Sequence, residues 1–149
     1  MKRIFILLLI LSGILTACGM KKNITNTNAP EDEWGLTLSA ENVTPTGLTI
    51  KFSQSDGKHY VEFTTGSQYE IEQELNGVWE KVKTNVDNPV WNDIAYIIKS
   101  GGITDHKINW EFLYGELLEG SYRLSKEIYA FTENSGYETK TFYVYFDIK

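Results

Sequence analysis

Apolar and polar side chains alternate along most of the chain beyond residue 33. In residues 47–53, Leu48, Ile50 and Phe52 fall on one side and Thr49, Lys51 and Ser53 on the other, the period of a half-buried strand. Leu36 and Leu38 repeat the pattern upstream, and Pro45-Thr46-Gly47 punctuates the interval, so the two segments are expected as consecutive strands joined by a turn. The sharpest local signal is Asn76-Gly77, because these residues accept the positive φ angles that a two-residue hairpin turn demands. The turn sets Leu75 opposite Val78 and Ile71 opposite Val82, with Glu72 meeting Lys81 and Glu70 meeting Lys83 on the other face.

A second hairpin is expected from residues 121–131 and 139–148, with turn residues at 134–136. With Phe131 opposite Thr139, Leu124 meets Phe146, Ile128 meets Phe142 and Arg123 meets Asp147; a shift by two residues keeps the faces and changes the pairs. Lys126 falls in the inward column, opposite Val144. A bulge or a sheet-end position from which the amine snorkels to water is the expected outcome, with a buried functional amine as the alternative. Residues 91–99 and 106–114 add strand-like material, with Ile108, Trp110 and Phe112 on one face. Seven to eight short strands between turn signals predict an all-β, antiparallel β-sandwich, and a closed barrel with a ligand lumen would use similar strands.

The N-terminus follows another pattern. Lys2 and Arg3 precede an unbroken apolar run over residues 4–11, which reads as a signal peptide and falls short of the ~20 residues that span a bilayer core. Leu15-Thr16-Ala17-Cys18, followed by Gly19, resembles the bacterial lipobox. The resemblance implies cleavage between Ala17 and Cys18 and a diacylglyceryl group on the Cys18 sulfur, which anchors the protein to the extracytoplasmic face of the cell membrane at ~0.8 kcal/mol per buried CH₂. The chain then divides into a lipoprotein signal peptide at 1–17, a lipidated cysteine and flexible tether at 18–33, and one domain at 34–149. The tether is poor in apolar residues and rich in Asn and Thr, and such a segment has an r.m.s. reach of only ~20 Å.

Cys18 is the only cysteine, so the mature domain has no thiol for a disulfide, a nucleophile or a metal site. An exported domain without disulfides fits a Gram-positive envelope. Loss of Lys2 and Arg3 with an acid-free leader leaves 12 basic against 20 acidic side chains, a net charge of -8. That sign argues against nucleic acid and against adhesion of the domain to anionic lipid, leaving the lipid as the contact with the membrane.

Two stretches, WGLTLSAENVTPTGLTIKFSQS and INWEFLYGELLEGSYRLSKEI, the latter followed by TFYVYFDI, resemble the bacterial immunoglobulin-like domain of exported lipoproteins, across nearly all of residues 34–149. The resemblance implies an immunoglobulin-like sandwich and no particular activity. Within it, LLEGSYRL looks like a tyrosine corner at Tyr122, with Leu124 where antibody-type domains carry a cysteine.

Candidate chemistry is sparse. His59 and His106 sit in polar loop sequences outside any H-E-x-x-H pattern, and no G-x-S-x-G occurs. Asp32 with Glu33 and Asp87 with Asp93 are loop acids, and of Glu70, Glu72 and Glu74 the first two already have cationic partners in the hairpin, leaving too few converging oxygens for calcium. No catalytic residue, cofactor or metal is therefore assigned, and a hydrolase is the least favoured class. The expected function is a non-catalytic binding module at the cell envelope with a protein partner, using outward aromatics: Tyr129, Tyr143 and Tyr145, with Phe131, and Trp79 on the charged face of its hairpin. The polar, Gly-containing loops at 55–67 and 99–107 are the alternative recognition surface. A pocket lined by Trp91, Trp110 and convergent polar groups would mark a small-molecule or carbohydrate ligand; titratable groups clustered in a cleft would mark an enzyme.

Overall fold

The computed structural model describes residues 33–55, 60–134 and 136–149. The expected signal peptide, Cys18, Asp32, His59 and nearly all of the tether lie outside them. The described residues form nine strands and one helical turn: β1 (Leu36–Thr44), β2 (Gly47–Gln54), β3 (Tyr60–Thr65), β4 (Glu70–Leu75), β5 (Val78–Lys81), β6 (Tyr96–Ile98), β7 (Gly102–Asn109), α1 (Glu111–Tyr114), β8 (Gly120–Thr132) and β9 (Tyr137–Ile148). All pairings are antiparallel, in a three-stranded sheet β1-β2-β7 and a six-stranded sheet built around β8. The core lies between them, with Leu38, Ile50 and Phe52 from the smaller sheet against Phe63, Ile71, Leu124, Ile128 and Phe146 from the larger. No helix among the described residues is long and apolar enough to cross a membrane.

The first hairpin follows from its sequence. Leu48, Ile50 and Phe52 are all buried, and Gly47 pairs with Asn109 of β7 so closely that a Cβ there would stand 2.5 Å from the Ile108 carbonyl oxygen. The Pro45 carbonyl accepts from Trp110 Nε1 at 2.8 Å and from the Leu117 amide at 2.9 Å, so Trp110, fully buried, locks the turn to the end of β7. The β4–β5 turn has Asn76 and Gly77 at φ 54° and 82°, and Leu75 pairs with Val78 as the turn chemistry requires.

The larger sheet has an interruption at its centre. β9 runs along one edge of β8, while the other edge carries β4 on its first half and β3 on its second. Thr65 pairs with Ile128 and Glu70 with Ser125, so the four residues 66–69 stand opposite only Lys126 and Glu127. β3 and β4 are thus one strand broken by a bulge of two extra residues. β6 and β5 pair onto β3 and β4, and the segment between them passes the bulge, where Ser67 Oγ donates to the Asn92 carbonyl at 2.7 Å.

Several expectations are corrected here. The β8–β9 hairpin is shifted by two residues: Phe131 pairs with Tyr137, so Leu124 meets Val144, Lys126 meets Phe142, Ile128 meets Lys140 and Arg123 meets Tyr145. The loop is tighter because the Thr132 amide donates to the Gly136 carbonyl at 2.9 Å. Only Tyr96–Ile98 of residues 91–99 is strand. Phe112 does not share a face with Ile108 and Trp110 but is 77% exposed, because the chain coils at Trp110, whose carbonyl accepts from the Leu113 and Tyr114 amides. Glu72 stands opposite Lys81 as expected, but the Lys81 ammonium reaches diagonally to Glu70 at 2.8 Å, and the Glu72 carboxylate pairs with Arg123, its cross-strand neighbour on β8.

Candidate functional site

Four of the aromatic positions singled out from parity lie on the outer face of the larger sheet. Tyr143 and Tyr145 on β9 are 36% and 42% exposed, and Trp79 on β5 and Tyr129 on β8 are half-buried. Three of them converge on Arg123: its guanidinium lies 4.8 Å from the Trp79 ring centroid and 4.4 Å from that of Tyr143, while Trp79 meets Tyr145 edge-on at 5.7 Å. Glu72 fixes the same guanidinium from β4. Cation–π contact and an ion pair together hold these rings in place before any ligand arrives. Tyr129 stands apart, its hydroxyl donating to Glu127 Oε2 at 2.6 Å and its ring 5.8 Å from Tyr137.

Between the Arg123 cluster and Tyr129 the face sinks into a groove of about 550 Å³. Its floor is Ser125, Glu127 and Thr141; Tyr143 and Tyr129 line it further, and one wall is made by the bulge residues 66–69 with Trp91, Asn92 and Asp93. Trp91 is positioned by packing edge-on against Tyr69, with ring centroids 4.9 Å apart. Trp91 therefore does line a concavity with convergent polar groups, whereas Trp110 serves the core.

The bulge that makes this wall is held from within by Lys126. Its side chain, 1% exposed, neither snorkels nor meets a carboxylate; the ammonium donates to the main-chain carbonyls of Gly66 and, at 2.9 Å, Gln68. These carbonyls belong to the bulge, where the ladder to β8 is broken, and the ammonium provides their missing donor. Burial lowers the Lys126 pKa to about 8. No sequence signal announces this pairing, because it depends on a bulge on another strand.

A second cleft of about 510 Å³ opens near the other side of the bulge, lined by Tyr69, Trp91, Tyr96, His106 and Phe112. His106 is not in a solvated loop: it lies on β7, half-buried, its ring 4.2 Å from that of Tyr96. Burial, with Lys126 nearby, lowers its pKa, and Nδ1 has no hydrogen-bond partner among the described residues. No group of three or more His, Cys, Asp and Glu side chains capable of holding a metal ion occurs among the described residues. At the start of β8 the Tyr122 hydroxyl donates to the Leu118 carbonyl at 2.8 Å, the bond of a tyrosine corner, and its ring stacks on Phe146.

The architecture is matched by a comparison at the level of sequence. A family model described as a bacterial Ig-like domain covers residues 30–147, and the chain belongs to that family. No curated protein matches the chain.

Proposed function

We propose that this chain is a lipid-anchored, non-catalytic binding module held at the extracytoplasmic face of a bacterial cell membrane, with the outer face of its larger sheet as the recognition surface. The lipobox-like Leu15-Thr16-Ala17-Cys18 supports the anchoring. The observation that carries the binding role is the Arg123 cluster. Trp79, Tyr143 and Tyr145 converge on one guanidinium and remain partly open to solvent, the rigid aromatic and arginine composition that dominates binding energy in interfaces.

The test places a photoreactive benzophenone side chain at position 145 of the full chain in growing cells. A discrete adduct is expected from position 145, weakened at least fivefold by Tyr143→Ala in a protein that melts normally. Position 103 on the smaller sheet, where Ile103 is 57% exposed, is expected to give none. Absence of an adduct at 145, or equal adducts from both positions, would remove this surface.

A further inference from the structure

The groove beside the Arg123 cluster has a chemistry distinct from that cluster. Tyr143 pairs in the row of Ser125 and Tyr129 lies four residues along β8, so their backbone positions stand roughly 13 Å apart along the strands. The floor between them is hydroxyl and carboxylate: Ser125, Thr141 and Glu127. Trp91 and the amides of Gln68 and Asn92 stand along the wall. Among the described residues no lysine or arginine lines the groove, whereas Glu70, Asp93 and Glu127 do.

Each feature restricts the occupant. An interface core for a protein is depleted in charge, and this floor is not. A wholly apolar ligand would strip water from Asp93 and from the Gln68 and Asn92 amides without replacing its hydrogen bonds. An acidic ligand would meet Glu127 and Asp93, with Glu70 already paired to Lys81 and no cation among the described residues of the lining. What fits is a ligand with hydroxyl groups along its edges and apolar C–H faces, because hydroxyls can donate to carboxylates and exchange hydrogen bonds with amides, while aromatic faces attract weakly positive C–H groups. The geometry points to a binding groove for a short oligosaccharide that bears no acidic group. Tyr143 and Tyr129 are its two ring platforms, Trp91 its wall, and Glu127, Ser125 and Thr141 its hydroxyl-reading floor. Tyr129 already donates its phenol to Glu127, so the carboxylate is oriented before the sugar arrives. The groove's volume lies within the range of small-ligand sites. The inference rests on the reading of this face as a recognition surface and gives that surface a ligand class.

The experiment is calorimetric titration of the full chain, purified from membranes in a detergent without a sugar headgroup. The probes are neutral tetrasaccharides of N-acetylglucosamine, β-1,4-linked glucose and mannose, with tetragalacturonate as the acidic counterpart. At least one neutral tetramer is expected to bind, with tetragalacturonate at least tenfold weaker. Tyr129→Ala is expected to weaken binding at least tenfold. Thr141→Arg, at an exposed floor position where folding is not at stake, is expected to abolish it. Failure of all three neutral tetramers at millimolar concentration, equal binding of the acidic one, or indifference to both substitutions overturns the inference. If the tetramers fail while position 145 still forms a protein adduct in cells, the glycan assignment falls and the binding module stands; if both fail, both fall.

Discussion

At Lys126 an ammonium occupies the interior because two main-chain carbonyls meet it there. Replacing it with Met keeps the stem and removes the donor, leaving the Gly66 and Gln68 carbonyls unpaired at ~1–3 kcal/mol each, partly offset by no longer burying a charge. Lys126→Met is expected to lower stability by about 2 kcal/mol at pH 7 in urea denaturation. The pH dependence has a definite sign. The folded-state pKa is about 8 against 10.5 in the unfolded chain, so below pH 8 both states carry the proton and the burial penalty is complete. Between those values the unfolded chain binds the proton that the folded chain has released, and stability contributed by this residue rises with pH until 10.5. The difference between wild type and Lys126→Met, measured across that range, isolates the rise; a flat difference would place the amine in water. The sequence placed Lys126 in the inward column by parity, but its partners are carbonyls some 60 residues away, and main-chain carbonyls leave no trace in side-chain identity.

At the scale of elements, strands were legible wherever one face is buried, because burial on one face imposes period two. The β1–β2 and β4–β5 hairpins follow from their turn residues, the second down to its register. The β8–β9 register is not legible, since a slip of two leaves every face unchanged; the observed register goes with the Thr132–Gly136 hydrogen bonds and the Phe131–Tyr137 ring contact. Phe112 illustrates another limit. It sits at strand spacing from Ile108, yet the coil at Trp110 turns it outward, and Gly115 at φ 72° ends that coil. Gly47 allows a direct test of strand packing. Gly47→Ala sets a methyl group 2.5 Å from a backbone oxygen, so β2 and β7 must part, at an expected cost of ~1–3 kcal/mol. The urea midpoint should fall with an unchanged slope; an unchanged midpoint would mean that the two strands separate freely.

For the whole molecule, the proposed function assigns anchoring and recognition to different parts of the chain. If Cys18 carries the lipid, Cys18→Ser should move the bulk of the protein from the membrane pellet to the soluble exported fraction and abolish incorporation of an alkyne-labelled palmitate; retention in the pellet without label would require another anchor. The aromatic positions on the outer face of the larger sheet are accessible to parity, but the groove is not. It forms where residues 66–69, the segment before β6 and the middle of β8 and β9 converge, and no local pattern encodes that convergence. Trp91 lay in a segment expected as a strand; instead it lies in irregular chain before β6 and forms a wall.

The bulge between β3 and β4 contains an even number of extra residues. Phe63 before it and Ile71 after it both face the core, opposite Ala130 and Leu124. Removing one residue from 66–69 would leave a one-residue bulge, which can keep Ile71 facing the core while displacing the carbonyls that Lys126 meets. Removing two would restore an unbroken strand, preserve every face, take the carbonyls away from Lys126 and flatten the groove wall. Across related chains, a lysine at the position of Lys126 should therefore accompany only those in which this segment is bulged.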